Sequence, residues 1–350
     1  MPNQAKNKRI TMTDIAKKAG VSQTTVSFVL NKVDDVNISE STKKSVLEAA
    51  AMLGYVPNVP RYFANLPQFT STNSIGFITD EIGISSYGGE ALKGAQEAAW
   101  EHQKMLFVLN TEGIQEVEET AIRAMIERKV DGIILATMIR RELTPSVEFG
   151  AIPCVTMNGY CKDKSISAFT TDEIYGGKIA TQFLIKAGHR RIGFINGEMW
   201  MDAARERLVG YKKALAEAEI LYDPEIVRDG NWRPDSGYQH TKELLSTPNP
   251  PTSLFCGNDL IALGAYEAAN SMGLQVPADI SIIGYDDQEI ASYLHPPLTT
   301  VRLPYYEMGY LSVIHLIKMI NNPQNERLFQ KKMLSTIVPR SSVSTIKLAS

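Results

Sequence analysis

The sequence contains few cysteines and no long apolar run. Its three cysteines, Cys154, Cys161 and Cys256, are odd in number and match no spacing typical of metal ligands. No segment approaches the roughly 18 consecutive apolar residues that a membrane-spanning helix needs. The polar, basic residues 1–9 are not followed by the apolar core of a secretory signal. We therefore expect a cytoplasmic protein with reduced thiols, without a metal site and without a membrane partner.

The motifs of common enzyme classes are also missing. The chain has no Gly-x-Gly-x-x-Gly turn and no Walker-type phosphate loop, which bind dinucleotides and nucleotide phosphates. Its five histidines are scattered, and no Ser, Cys or His stands in a recognisable nucleophile setting. Because these motifs are missing, we expect no catalytic residue and no cofactor. An α/β enzyme with an accessory helical domain and a transport binding protein remain as alternatives.

Charge is distributed unevenly along the 350 residues. Residues 1–61 contain nine Lys and Arg against five Asp and Glu, a formal charge of +4. The whole chain has a net charge of −3, so the other 289 residues carry −7. Such an asymmetry suggests a nucleic-acid partner for the basic segment, with chance fluctuation as the alternative. With 44% hydrophobic residues, a chain of this length is expected to form two or three domains.

The N-terminal residues predict three short helices with a helix-turn-helix spacing. The predicted helix caps are Thr13, Ser22 and Ser39. Ala16 is small where the first two helices cross, and Gly20 takes the left-handed backbone that the turn needs. The other face of the second helix, which points into a major groove of DNA, carries Gln23, Thr24, Ser27 and Phe28. An ordinary helical hairpin is the alternative.

The rest of the chain predicts a linker and then an α/β body. Pro57, Pro60 and Pro67 mark the linker, because proline-rich polar stretches interrupt regular structure. From Ser74 onward, apolar runs of strand length alternate with amphipathic segments of helix length, as in parallel sheets covered on both faces. The predicted strands are Ser74–Thr79, Met105–Asn110, Gly132–Ala136, Pro153–Met157, Arg191–Asn196, Ser253–Cys256 and Ile280–Gly284. The run Ile-Gly-Phe-Ile at 75–78 recurs at 192–195 and suggests two similar lobes.

Two N-terminal segments resemble signatures of the lac repressor (LacI/GalR) family of bacterial transcription regulators. The first is TDIAKKAGVSQTTVSFVLN at 13–31, and the second is LGYVPN at 53–58. The similarity continues over nearly the whole chain. The further matching segments are Asp131–Ile134, Gly188–Gly193, Arg207–Tyr211, Gly257–Asp259, Asp279–Asp287 and Pro297–Val301.

The resemblance implies a homodimeric regulator with three parts. Residues 1–58 would be a helix-turn-helix DNA-binding domain, and residues 59–73 a hinge. Residues 74–350 would form an effector-binding and dimerisation domain with the two-lobed fold of periplasmic binding proteins. The expected ranges are about 74–170 and 304–333 for lobe one, and about 171–302 and 334–350 for lobe two.

The resemblance also assigns the residues that would contact operator DNA. Gln23 can form two hydrogen bonds to adenine, and Thr24 tolerates several bases. Phe28 departs from the Arg often found there, so it can contact a thymine methyl group but cannot pair with guanine; packing in the core is its alternative. The phosphate-contacting candidates at or near helix ends are Thr13, Ser22, Asn31 and Ser39. Ser27 and Tyr55 complete the set within the predicted DNA-binding domain.

The predicted hinge resembles the family's hinge helix, which wedges an apolar side chain into the minor groove. A helix from Val59 to Leu66 is possible, although Pro60 falls early in it. The wedge would then be Phe63 or Leu66. An unstructured tether is the alternative.

Family positions for the effector fall on polar and aromatic residues of the body. They are Asn158, Arg207, Trp232, Asn258, Asp286 and Tyr305, with Tyr87 added from lobe one. Asp286 can accept hydrogen bonds from two vicinal hydroxyls, and Trp232 offers a flat apolar face to a sugar ring. Arg207 is expected to pair with Asp286 when the site is empty. Asn158 replaces an acid often seen at its position.

These residues predict a ligand-responsive, sequence-specific transcription regulator, most simply a repressor of carbohydrate-utilisation genes. The effector would be a sugar or a small oligosaccharide. A purine is the alternative, because the same arrangement serves purine-responsive members of the family and Trp232 could stack on a base as well.

Overall fold

The structure is a computed structural model that describes residues 11–30, 38–53, 72–81, 86–144, 152–322 and 327–346. The chain divides into two compact units, residues 1–70 and 71–350, which we call the head and the body. Four predicted DNA-binding residues, Asn31, Tyr55, Phe63 and Leu66, lie outside the described residues, as does the predicted hinge helix. The side chain of Tyr87 also lies outside them.

Three helices form the described part of the head: α1 (Met12–Ala19), α2 (Gln23–Leu30) and α3 (Glu40–Met52). Their small core buries Ile15, Ala16, Val26, Val46, Ala49 and Ala50. Gly20 has φ 69°, the left-handed conformation that the sequence predicts for the turn. Because α1 and α2 are each only eight residues long, this shared core rather than helix propensity stabilises them.

The predicted cap of the first helix is wrong. The helix begins at Met12, so the cap is Thr11, whose hydroxyl accepts a hydrogen bond from the Asp14 amide at 3.4 Å. The Asp14 carboxylate accepts one from the Thr11 amide at 2.8 Å, which completes a reciprocal capping box. Thr13 is therefore inside the first turn. Ser22 and Ser39 cap the next two helices as predicted, by accepting from the amides of Thr25 and Thr42.

The body contains twelve strands and eight α-helices within its described residues. The strands are β1 (Ser74–Thr79), β2 (Met105–Asn110), β3 (Gly132–Glu142), β4 (Cys154–Tyr160), β5 (Ser167–Thr171), β6 (Ile192–Asn196), β7 (Val227–Asp229), β8 (Ser253–Cys256), β9 (Ser281–Ile283), β10 (Thr300–Arg302), β11 (Gln330–Met333) and β12 (Thr336–Val338). The helices are α4 (Ser86–Glu101), α5 (Gln115–Glu127), α6 (Glu173–Lys186), α7 (Asp202–Glu217), α8 (Pro234–Leu245), α9 (Asp259–Ser271), α10 (Ile290–Tyr293) and α11 (Tyr305–Asn321).

Two parallel sheets divide the body into two lobes. The lobe-one sheet has the order β11-β5-β4-β3-β1-β2, and the lobe-two sheet has the order β7-β6-β8-β9. The repeated Ile-Gly-Phe-Ile runs lie on β1 and β6, the first strand of each sheet along the chain. Strands β10 and β12 pair antiparallel with each other. The chain therefore passes between the lobes after β5, around β10 and between β11 and β12.

All seven predicted strands are present, but β3 and β4 extend beyond their predicted ends. After an irregularity between Ala136 and Arg141, β3 pairs with β4 again, so it runs on to Glu142. The strands β5 and β11 were not predicted, because SAFTT and QKKM have no long apolar run. Helix α11 was also not predicted, since it buries residues such as Met308, Val313 and Leu316 around much of its circumference and has a weak helical periodicity.

Candidate functional site

Most of the described residues of the predicted DNA-contacting face are exposed. Thr13, Ser22, Gln23, Thr24 and Ser39 are exposed. The Thr13 hydroxyl donates to Oε1 of Gln23 at 3.5 Å, which brings the starts of α1 and α2 together. These polar groups are therefore available at the surface of the head.

Ser27 and Phe28 are half-buried one turn further along α2. Phe28 is not among the described apolar side chains that form the head core, whereas its neighbours Val26, Val29 and Leu30 are. The alternative that Phe28 serves as a core residue therefore has little support in the described head.

Arg207 on α7 lies at the centre of the second candidate site, between the lobes. Its side chain is buried, and its Nε donates to Oε2 of Glu173 at 2.8 Å. Its Nη1 donates to the carbonyl oxygen of Gly257 at 2.6 Å. The guanidinium carbon stands 3.7 Å from the ring centroid of Tyr285. Hydrogen bonds and a stacking contact therefore fix the guanidinium in one orientation.

Arg207 pairs with Asp286 as expected, but Glu173, which was not predicted, is its closer partner. The distance from Nη2 of Arg207 to Oδ1 of Asp286 is 3.6 Å, longer than the contact with Glu173. Glu173 also accepts from the hydroxyl of Thr171 at 2.7 Å and from that of Tyr285 at 3.0 Å. Burial alone would raise the pKa of Glu173, but Arg207 and these hydroxyls hold that pKa below its usual range.

Glu173 was not predicted as a site residue, because it follows Asp172 at the start of a helix. Acids in a first turn are common there, since they oppose the positive end of the helix dipole. Asp172 does serve this purpose, as its carboxylate accepts from the Tyr175 amide at 3.0 Å. The one available signal was the second acid directly beside Asp172.

On the lobe-one side, Asn158 and Tyr305 form the opposite end of the same polar network. Nδ2 of Asn158 donates to the Met138 carbonyl oxygen at 3.0 Å and lies 3.1 Å from the Tyr305 hydroxyl. That hydroxyl donates to the same carbonyl at 3.0 Å. Oδ1 of Asn158 is 3.4 Å from the hydroxyl of Thr171, which contacts Glu173. A continuous chain of polar groups thus connects the two lobes.

Trp232 and Asn258 form a pair on lobe two. Nδ2 of Asn258 donates to the carbonyl oxygen of Trp232 at 3.0 Å, and its Oδ1 accepts from the Ile261 amide at the start of α9. The half-buried Trp232 places its Nε1 2.8 Å from Sδ of Met201. A Cβ at Gly197 would overlap the indole ring, so the ring position requires glycine there.

Three candidate residues have backbones in the left-handed region: Asn158 with φ 60°, Trp232 with φ 64° and Asp286 with φ 106°. Asn adopts this region more readily than most residues, whereas a bulky Trp does so rarely. Such strained positions persist where the surrounding structure fixes them, and they are concentrated at functional sites.

Two cavities lie between the lobes. The larger, of about 610 Å³, is lined by Tyr305, Tyr306 and Leu303 together with charged residues. These charged residues are Glu90, Lys93, Asp286, Asp287, Glu289, Arg302 and Glu307. The smaller, of about 320 Å³, is lined by Asp80, Ile139, Arg140, Arg141, Glu142, Tyr160, Trp200, Met201 and Asp202. Both lie beyond carboxyl ends of parallel strands, where ligands bind in α/β folds.

Polar contacts beside the smaller cavity join the lobes, and they were not predicted from the sequence. Arg140 at the end of β3 is 2.7 Å from Glu206 on α7, and the Tyr160 hydroxyl donates to Asp202 at 2.9 Å. Lys332 on β11 is 3.3 Å from Glu206. The first two turns of α7 therefore contact lobe one through Asp202 and Glu206 and carry Arg207 beside them.

The structure brings the predicted effector residues together in pairs. Asn158 contacts Tyr305, Arg207 stands near Asp286, and Asn258 contacts Trp232.

Within the described residues there is no group of three or more His, Cys, Asp or Glu that could hold a metal ion. The same part of the chain contains no helix that is long and apolar enough to cross a membrane.

Comparisons with family models and curated proteins identify similar chains. Residues 11–58 match the model of bacterial regulatory proteins of the lacI family, and residues 181–343 match the periplasmic binding protein-like domain. The ribose operon repressor of Haemophilus influenzae is 33% identical over 96% of this chain and 99% of its own length. The HTH-type transcriptional repressor PurR of Pasteurella multocida is 35% identical over 96% of this chain and 99% of its own length.

Two solved structures that are similar to this chain are also those of transcription regulators. A complex of the transcriptional regulator CelR with cellobiose is 30% identical, covering 95% of this chain and all of that one, with a TM-score of 0.66. A lac repressor dimer bound to operator and the anti-inducer ONPF is 28% identical, covering 96% of this chain and 100% of that one, with a TM-score of 0.65.

Proposed function

Because the chain belongs to the lacI family of bacterial regulatory proteins and is a DNA-binding transcription regulator, we propose that it is a repressor of carbohydrate-utilisation genes that responds to a sugar. The predicted family, the helix-turn-helix head and the two-lobed α/β body are confirmed. The effector, the target genes and the residue roles are our proposal.

In the head, Gln23, Thr24 and Phe28 would read base edges in a major groove. Thr13, Ser22 and Ser39 would contact phosphates, because hydroxyls and amides at helix starts suit anions. We propose a homodimer, since one helix-turn-helix reads only a few base pairs and two symmetric half-sites supply the rest. The similar lac repressor structure, which is a dimer on operator, supports this arrangement.

The single observation that carries the effector proposal is the polar network between the lobes. It offers a fixed guanidinium, the carboxylate of Asp286, the amides of Asn158 and Asn258, and the indole face of Trp232. Directional polar groups beside one aromatic face suit a polyhydroxylated ring. The structure similar to this chain that contains cellobiose is consistent with a sugar.

Effector binding would act through the contacts that join the lobes. On α7, Arg207 lies beside Asp202 and Glu206, which contact Tyr160 and Arg140 of lobe one, so a ligand that moves Arg207 would change these contacts. A ligand shifts a conformational equilibrium only by binding one state more tightly than the other. A change in the contacts between the lobes would supply such a difference, because those contacts depend on how the lobes are arranged.

A purine is the second candidate effector. The PurR repressor of Pasteurella multocida is as similar to this chain as the ribose operon repressor is. The ring of Trp232 can stack on a base as well as on a sugar, and the Asn158 amide can bond the edge of a heterocycle.

The test is a thermal-shift screen of the full-length chain against mono-, di- and trisaccharides and against purine bases. We expect one sugar to raise the unfolding temperature by mass action and to change affinity for operator DNA. A response to purines alone would replace the sugar with the second candidate. The matched control is Glu219→Ala, which removes an exposed acid just after α7 and should leave the response intact.

A further inference from the structure

We propose that the effector of this chain is uncharged, and that Glu173 is the positioning residue that sets this preference by engaging Arg207. The inference rests on the proposed effector site between the lobes, which we call the cleft, and it specifies the charge of the ligand that binds there. It selects neutral sugars or bases over their phosphorylated forms, which carry the same rings with added negative charge.

The first observation is that Arg207 has no pair of adjacent N–H groups left available to bind an anion. Arginine binds phosphate best by donating from two adjacent N–H groups. Here Nε donates to Glu173 at 2.8 Å and Nη1 to the Gly257 carbonyl at 2.6 Å. Nη2 lies 3.6 Å from Asp286. One buried guanidinium thus faces two carboxylates, so the centre of the site has a formal charge of −1.

The second observation concerns the helix starts around the cleft. A helix N-terminus binds anions through free amides and the positive end of its dipole. Helices α6 and α7 begin beside the cleft, and their first turns carry the acids Glu173 and Asp202. The starts of α6 and α9 are capped by the side chains of Asp172 and Asn258, which occupy amides there. Acids or caps therefore oppose the attraction that an anion would feel at each of these starts.

The third observation is that the arginines at the smaller cavity face carboxylates. Arg140 is 2.7 Å from Glu206 and 3.9 Å from Asp202. Arg141 is 3.8 Å from Asp80 and 3.6 Å from Glu118. A ligand phosphate at this cavity would compete with acids for both cations.

The larger cavity has an excess of acids as well. Its lining contains five carboxylates and two cations. Arg340 lies 2.7 Å from Asp287, and Asp286 faces Arg207, which leaves Glu90, Glu289 and Glu307 against Lys93 and Arg302. All five of these side chains are exposed, so solvent and salt weaken the attraction and the repulsion alike, and the remaining excess is one negative charge.

The combined effect favours ligands that donate hydrogen bonds without carrying negative charge. Hydroxyl and N–H groups satisfy carboxylate oxygens, whereas a phosphate placed among them is repelled. Glu173 is central because its carboxylate offsets the charge of Arg207, a buried cation that an anion could otherwise use. Without it, Arg207 would regain free donors and the site would gain one positive charge.

The experiment compares matched pairs on the full-length protein by calorimetric titration and thermal shift. The pairs are ribose and ribose 5-phosphate, glucose and glucose 6-phosphate, and inosine and inosine 5′-monophosphate. We expect binding by the neutral member of at least one pair, with its phosphorylated partner weaker by about tenfold or more. A phosphorylated member that binds as tightly as its neutral partner overturns the inference and leaves the proposed sugar or purine response standing. If no member of any pair binds, the inference is overturned, whereas the proposed response to a sugar or purine is decided by the wider screen of saccharides and purine bases.

Two variants test whether local charge is the cause. In Glu173→Gln, the ratio of the affinity for the neutral ligand to the affinity for its phosphorylated form should fall. A loss of folding stability alone would not change this ratio. Because that change is buried, the exposed double variant Glu289→Gln/Glu307→Gln gives a second measure and should narrow the ratio to a smaller extent. Its matched control, Glu219→Gln/Glu225→Gln, removes the same charge from exposed positions outside both cavity linings. An equal change in the control would overturn the local explanation.

Discussion

The head and the cleft between the lobes use polar residues in opposite ways. In the head, Gln23 and Thr24 are exposed on a short helix whose core lies on the other side. In the cleft, Asn158 and Arg207 are buried and bonded to other protein groups. We therefore expect the head to bind DNA by giving up bonds to water. Under the proposed function, a ligand in the cleft would instead replace internal hydrogen bonds of the lobes.

The largest expected difference between the two regions is in folding stability. Glu173→Gln leaves Arg207 as a buried charge without its main partner, so the free energy of unfolding of the body should fall by roughly 3–5 kcal/mol. Gln23→Ala should change the free energy of unfolding of the head by no more than about 0.5 kcal/mol, because that side chain is exposed. Urea denaturation followed by tryptophan fluorescence measures the body, since all three tryptophans lie there, and hydrogen exchange of the α2 amides measures the head.

The control for this comparison is Glu217→Gln, which breaks an exposed pair with Lys178 at 2.7 Å on the same helix as Arg207. Surface pairs are worth about 0–1 kcal/mol, so its loss should be small. Equal losses for Glu173→Gln and Glu217→Gln would show that the buried pair does not stabilise the body.

Effector affinity is the next largest effect. Asp286→Ala removes a carboxylate that can accept from two ligand hydroxyls, and each charged hydrogen bond is worth roughly 1.5–3 kcal/mol. The effector midpoint in an operator-binding titration should therefore rise by about tenfold or more. Affinity for operator without effector should not change, because Asp286 belongs to the other compact unit. A variant that fails to bind operator at all would indicate a structural role.

Base discrimination comes third. Gln23→Ala should lose roughly 1–3 kcal/mol of preference at one base position in each half-site. Lys8→Ala removes one positive charge from the basic N-terminal segment and should weaken binding about equally on all sequences, because attraction to phosphates carries no sequence information. Selection of sites from a random pool measures both profiles. An unchanged profile for Gln23→Ala would place the recognition face elsewhere on the head.

Helix capping within the head gives a smaller effect. Thr11→Ala should destabilise the head by about 1 kcal/mol, because the Asp14 amide loses its partner. Thr13→Ala should cost less, since Thr13 does not cap the helix. Hydrogen exchange of the α1 amides in the full chain compares the two. Faster exchange in Thr13→Ala than in Thr11→Ala would contradict the capping box.

The smallest effect is a pH dependence in the body. Burial lowers the pKa of His189 from its usual value of 6.5, and a hydrogen bond to the Ser344 carbonyl offsets this in part. As the pH falls through about 6.5, the unfolded chain takes up a proton first, so the stability contributed above that pH is lost. The free energy of unfolding should therefore decrease from pH about 7 to about 5. This slope should be shallower in His189→Gln, and an identical slope would exclude His189 as its source.

The parts of the fold that the sequence predicted depend on local patterns. Met105–Asn110 and Ser253–Cys256 are apolar runs of strand length, and they are strands with these bounds. Gly20 lies in the turn because few other residues adopt its backbone at low cost. Helix α8 was missed because its polar sequence PDSGYQHTKELL shows no clear apolar face, although it buries Leu244.

By itself, the sequence determined the helix-turn-helix and the α/β class of the body, because these follow from residue spacing and periodicity along the chain, and its motifs carried the resemblance to the family. Only the tertiary structure decided that Glu173, rather than Asp286, is the closer partner of Arg207. It alone revealed the contact of Arg140 with Glu206. These pairs join residues 34 and 66 positions apart, on elements that meet where the chain passes between the lobes. Charge pairing depends on distance in space, and a linear pattern contains no information on which acid a buried arginine will reach.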